Sequence, residues 1–83
     1  MLAPNTLVEV HWIDAETVSG WTEPDDFPKI KPPSIKTVGY YSHCQKSKGK
    51  ILWIVVKHSL ADSGAGDYTV IPYGCITKLE KID

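Results

Sequence analysis

Apolar positions in this chain alternate in short runs and then crowd into one. In Leu7-Val8-Glu9-Val10-His11-Trp12-Ile13-Asp14, the residues Val8, Val10 and Trp12 fall on one side and Glu9 and His11 on the other. That period of two predicts a half-buried strand. Ile51-Leu52-Trp53-Ile54-Val55-Val56 is different, an unbroken apolar run rich in β-branched types. It is far shorter than the roughly 18 residues a membrane span needs. It predicts a central strand with apolar neighbours on both faces. Regular alternation puts Leu52, Ile54 and Val56 on the inner face and Ile51, Trp53 and Val55 on the outer one.

Other segments fill in around these two. After Asp14 the alternation breaks as far as Gly20, and Trp21 follows. Thr22 to Pro33 contains Pro24, Pro28, Pro32 and Pro33, which excludes a helix and any central strand. This is a long loop, and Trp21 and Phe27 predict that it is partly ordered by packing of their rings. Ser34 to His43 reads as a second strand, with Gly39 marking a bulge or sharp bend. Gln45 to Lys50 reads as a basic hairpin loop, and Leu60 to Asp67, with Gly64 and Gly66, as a second loose loop. Tyr68 to Ile71 is a fourth strand, stopped by Pro72, and Tyr73-Gly74-Cys75 a tight turn. From Ile76 to Ile82 the apolar spacing of three fits either a bulged strand or one short helical turn.

No segment reads as an amphipathic helix. The expected fold is all-β, a small five-stranded barrel formed by a single domain spanning residues 1–83, with a long Pro-rich first loop. The order of elements resembles an SH3-like barrel, and Val70-Ile71-Pro72-Tyr73-Gly74-Cys75-Ile76 is similar to that fold's strand, short turn, strand ending. The peptide groove of SH3 domains is not matched. The Ala-Leu-Tyr-Asp-Tyr stretch and the Trp-Trp pair are missing, and Cys75 stands where a groove Tyr would.

A second resemblance covers most of the chain. Val8-Glu9-Val10-His11-Trp12-Ile13-Asp14-Ala15, then Gly20-Trp21, Thr37-Val38-Gly39-Tyr40, and Ile71-Pro72 with Ile76 resemble a family of small, uncharacterised bacteriophage proteins. What this resemblance implies is phage origin and a β-barrel module without an assigned chemistry. No functional residues come with it.

Eighty-three residues with 42% apolar content and three Trp suffice for one core. A chain this size buries only about 60% of its unfolded surface, so its stability margin is thin. Cys44 and Cys75 are too few for a disulfide scaffold. Met1-Leu2-Ala3-Pro4-Asn5 has neither a basic start nor an apolar core of a signal peptide. The expectation is a soluble cytoplasmic protein (host-cell cytoplasm if phage-encoded), with no membrane association. The net charge of −1 conceals a division. Residues 1–28 hold six acids and no Lys, residues 29–57 hold seven Lys and no acid, and Arg is absent. Such blocks compensate each other across a fold or present two oppositely charged faces.

Catalytic signals are missing. His11, His43, His58, Cys44 and Cys75 lack the paired spacing of structural zinc sites, and the adjacent His43 and Cys44 point to opposite faces of a strand. A Cys–His pair would arise here by chance, and free Cys mostly behaves as a small hydrophobe. Asp25-Asp26 sits in the Pro-rich loop with no rigid element to space it. Gly64-Ala65-Gly66 is too short for a phosphate loop. The reading is a non-enzymatic protein with no cofactor and no metal.

Binding is better supported. A protein partner, by analogy with phage modules a host protein, would meet an outer stripe of Ile51, Trp53 and Val55, with Trp21 and Tyr41 as further contacts. The bland counterpart is a Pro-rich loop folded over that stripe. Because one barrel interior covers only one face of the central strand, a homodimer with Ile51, Trp53 and Val55 at or beside its interface is also expected. Single-stranded nucleic acid is the alternative, gripped by Lys46, Lys48 and Lys50 with Tyr41 as a stacking platform. The pI of 6.3 and the lack of Arg weigh against it. A small ligand or nucleotide at a subunit junction is a third reading.

Overall fold

The computed structural model describes residues 2–15 and 20–82. Among these residues there are five strands: β1 (Thr6–Ile13), β2 (Ser34–Ser47), β3 (Lys50–Lys57), β4 (Tyr68–Pro72) and β5 (Ile76–Lys81). All neighbours are antiparallel, in the order β4-β3-β2-β1-β5. A 3₁₀ turn, Tyr73–Cys75, joins β4 to β5 where the tight turn was expected. The fold is all-β, as the alternation predicted. The sheet does not close into a barrel: β4 and β5 are both edges. The closing segment is a bulged strand, since Trp12 pairs with Ile76 and His11 with Lys78, leaving Thr77 as the extra residue.

The core lies on the inner face. Val8, Val10, Ile54, Val56 and Ile71 are fully buried, with Tyr41 beside them. Trp12, Cys44, Ile51, Ile76 and Leu79 pack around this cluster. Trp12 is half-buried at the core's margin, and its indole N–H donates to Thr37 Oγ1 at 3.0 Å. Gly39 bends β2 where it crosses β3. A Cβ there would overlap the Lys57 carbonyl oxygen and lie 2.7 Å from Val56 Cγ1. The bend lets one 14-residue strand pair with β1 through its first half and β3 through its second.

Two bulges alter the faces that alternation assigns. On β2, Tyr41 pairs with Val56 and His43 with Val55, so Ser42 is extra. On β3, Trp53 pairs with Gln45 and Ile51 with Lys46, so Leu52 is extra. Ile51 therefore turns inward onto the core, and Leu52 turns outward, 43% exposed. That reverses the expected placement of both residues. Tyr41, expected at the surface, is only 3% exposed in the core.

The hairpin between β2 and β3 is tighter than expected. The strands run to Ser47 and from Lys50, and Lys48 (φ 52°) and Gly49 (φ 79°) alone form the turn. Positive φ at both central residues matches the twist of the flanking strands. The Pro-rich segment contains one 3₁₀ turn, Pro24–Lys29, with no buried residue. Trp21 is 92% exposed, and Phe27 and Ile30 are exposed too. The Trp21 and Phe27 rings do not order the loop by packing, and the loop leaves Leu52 and Trp53 of β3 exposed. The break expected from Asp14 to Gly20 falls partly on residues 16–19, which lie outside the described residues.

Candidate functional site

The outer face divides in two. Paired residues share a face, so Glu9 and His11 of β1, Lys36 of β2, and Lys78 and Glu80 of β5 form a charged half. Glu9 Oε1 lies 3.3 Å from Lys36 Nζ and 3.1 Å from His11 Nε2. The Lys36 hydrogen bond is the main cause holding the Glu9 carboxyl below its usual range. Lys78 Nζ meets Glu80 Oε1 at 2.9 Å, and that hydrogen bond raises the ammonium's pKa. Glu9 with Lys36 joins the acidic block to the basic one, so part of the charge division is compensated within the fold.

The other half is apolar. Val55 pairs with Val70, Trp53 with Pro72 and Lys57 with Tyr68. Trp53, Val70 and Tyr68 are all exposed, and Leu52 joins them through its bulge. The Ser42 bulge turns His43 outward beside Val55, and Ser42 Oγ lies 2.9 Å from His43 Nδ1. The loop from β3 to β4 then folds back along this half. His58 N–H donates to the Asp67 carbonyl at 3.0 Å, and Gly64 N–H to the Ala61 carbonyl at 2.9 Å. Lys57 Nζ donates to the Gly64 carbonyl at 3.4 Å. The result is an open groove of about 570 Å³, with Val55 in its lining. Ser42, His43 and Lys57 are its polar members, Tyr68 and Val70 form one wall, and Gly64 to Gly66 the other residues of its lining. Val55 itself is only 9% exposed.

The sequence-predicted contacts are thus dispersed. Trp53 and Val55 share the outer apolar half. Ile51 and Tyr41 belong to the core side. Trp21 lies in the loop beyond the Ile13–Ser34 end of the sheet, and the lysine hairpin lies at the other end of β2. Lys46 pairs with the inward Ile51, whereas Lys50 pairs with Ser47 across the turn on the Gln45–Trp53 face. Lys46 and Lys50 therefore stand on opposite faces, and the buried Tyr41 ring offers them no stacking surface. Sequence reasoning missed His43, Tyr68 and Val70. Tyr68, Val70 and Pro72 could have been found from their period of two, but His43 required knowledge of the bulge.

Among the described residues, no three His, Cys, Asp or Glu side chains come together as metal ligands. Cys44 and Cys75 are free, half-buried thiols. No helix among the described residues is long and apolar enough to cross a membrane. No protein-family model, curated protein or solved structure matches the chain.

Proposed function

We propose that this chain is a non-enzymatic binding module that seats an apolar side chain of a partner protein in the groove over Val55. The observation that carries this reading is the apolar outer half formed by Leu52, Trp53, Val70 and Tyr68, all exposed, on a sheet whose other outer half is charged. Exposed apolar area with aromatic members and a concave centre is the usual make-up of a protein contact. The groove lining contains Lys57 and His43 and no carboxylate. A partner segment that sets a carboxylate beside its apolar side chain complements it. The resemblance to bacteriophage proteins makes a host protein the partner proposed. Nucleic acid is the weaker reading, because the hairpin lysines diverge and Tyr41 is buried.

Tagged wild type and Trp53→Glu protein, incubated with host lysate, test this. The wild type enriches a protein that Trp53→Glu loses, while a variant with Lys46, Lys48 and Lys50 all changed to Ser retains it. No enrichment, or loss with the lysine variant alone, refutes the proposal. Salt-sensitive capture of oligonucleotides that depends on the three lysines would favour the nucleic-acid reading instead.

A further inference from the structure

The two edges of the sheet are built differently. β5 (Ile76–Lys81) carries Lys78, Glu80 and Lys81, the charges that keep a free edge from pairing with another strand. β4 reads Tyr68-Thr69-Val70-Ile71-Pro72, with no charge along its length. Its backbone is poised to pair. The His58 N–H bond to the Asp67 carbonyl sets the alternation of the β3–β4 ladder. From there, Thr69 and Ile71 direct their amides at β3, and Tyr68 and Val70 direct theirs to the open side. Pro72 fits this scheme, since it has no N–H and falls at a position that faces away from β3. The same residues carry the exposed side chains: Tyr68 is 63% exposed and Val70 45%.

We infer that β4 pairs antiparallel with β4 of a second copy of this chain, about a two-fold axis at Val70. In that register Val70 donates to and accepts from the partner's Val70. Tyr68 N–H reaches the carbonyl of the partner's Pro72, and the Tyr68 ring lies against the Pro72 ring. The missing donor of Pro72 faces a Tyr68 carbonyl that stays open to water at the margin of the contact. A strand uncharged throughout, with outward amides symmetric about its middle residue, is self-complementary in the way an isologous interface requires. Pairing also makes the two apolar outer halves continuous, which adds side-chain burial to the backbone bonds. This goes beyond the partner reading, and it is measured on the purified chain alone, so either proposal can fail without the other.

Sedimentation across the micromolar range tests it. The wild type moves from the 9.2 kDa monomer toward a dimer as concentration rises. Val70→Lys sets two ammonium groups opposite each other at the axis and stays monomeric, with an unchanged far-ultraviolet spectrum. A Val70→Cys variant provides a second readout. Directly opposed hydrogen-bonded residues stand about 5.5 Å apart at Cα, within disulfide range. It cross-links under mild oxidant, while Lys50→Cys, at the far hairpin, does not. A wild type that is monomeric throughout, or a dimer that survives Val70→Lys, overturns the inference. So does a monomer that instead takes up a foreign extended peptide along β4.

Discussion

Gly39 lies directly beneath the Lys57 carbonyl, where the long second strand crosses the third. No side chain fits between them: a Cβ would overlap that oxygen and come within 2.7 Å of Val56 Cγ1. The neighbours are backbone and a buried branched side chain, so neither can swing aside. Gly39→Ala is expected to cost about 2 kcal/mol or more by overpacking, which in so small a domain lowers Tm by about 10 °C. A thermal melt followed by far-ultraviolet dichroism measures it. An unchanged melting temperature would show that the two strands can separate at their crossing.

Trp12 and Thr37 hold the other end of the core. Trp12 packs at the core margin and its indole N–H donates to Thr37 Oγ1. Trp12→Ala removes a large, half-buried ring and is expected to cost about 3 kcal/mol. Thr37→Val removes only the acceptor and is expected to cost about 1 kcal/mol. A double-mutant cycle in urea should show that the Thr37 effect vanishes once Trp12 is Ala. Additive losses would mean that the hydrogen bond contributes nothing.

Tyr41 makes the fold sensitive to alkali. Burial, and then the neighbouring Cys44 thiol, push its phenol up from 10.0 to about 12. The folded state therefore holds this proton more tightly than the unfolded chain does. Its contribution is fully present below pH 10 and is lost as pH rises from about 10 through about 12. Urea midpoints measured across that window should fall for the wild type and fall less for Tyr41→Phe. Equal declines in both proteins would place the alkaline sensitivity elsewhere.

The all-β class and most of the strands were legible in the sequence because alternation reports burial directly. Val8 and Val10 were placed in the core from the period of two alone, and Ile54 and Val56 from the same rule. Alternation fails where a strand gains a residue. The Leu52 and Ser42 bulges each shift the period by one, and nothing in those residue types announces a bulge, whereas Gly39 did announce the close approach of β2 to β3. Barrel closure was equally beyond reach, since it depends on how far the sheet coils rather than on what each strand contains. On the apolar outer half, Val55 and Trp53 were legible, but the loop that flanks Val55 in the groove was not. The Gly64–Gly66 loop, and not the Pro-rich segment, lies beside Val55, a choice set by the turn that returns the chain from β3 to β4. Trp21 and Phe27 expose the limit of reading ring residues as buried: the segment they lie in, with Pro24, Pro28, Pro32 and Pro33, forms no strand whose regular surface would seat their rings.

The reversed pair Ile51 and Leu52 gives the most direct test of the bulge. If β3 alternated regularly, Leu52 would point into the core and Ile51 to solvent. With the bulge, Ile51 packs on the core and Leu52 is 43% exposed. Lysine at each position distinguishes the two geometries, because an ammonium is tolerated at the surface and excluded from an apolar interior. Leu52→Lys is expected to change stability by no more than about 0.5 kcal/mol, as exposed substitutions do. Ile51→Lys loses its apolar contacts and must draw its charge out past the core edge, at about 2 kcal/mol. Ile51 lies one residue from the hairpin, so its lysine can still reach water along its own stem. That holds the expected cost below that of a central site such as Ile54. Urea denaturation of the two variants side by side measures the difference. A larger loss for Leu52→Lys than for Ile51→Lys would restore regular alternation, remove Leu52 from the outer half and return Ile51 to it.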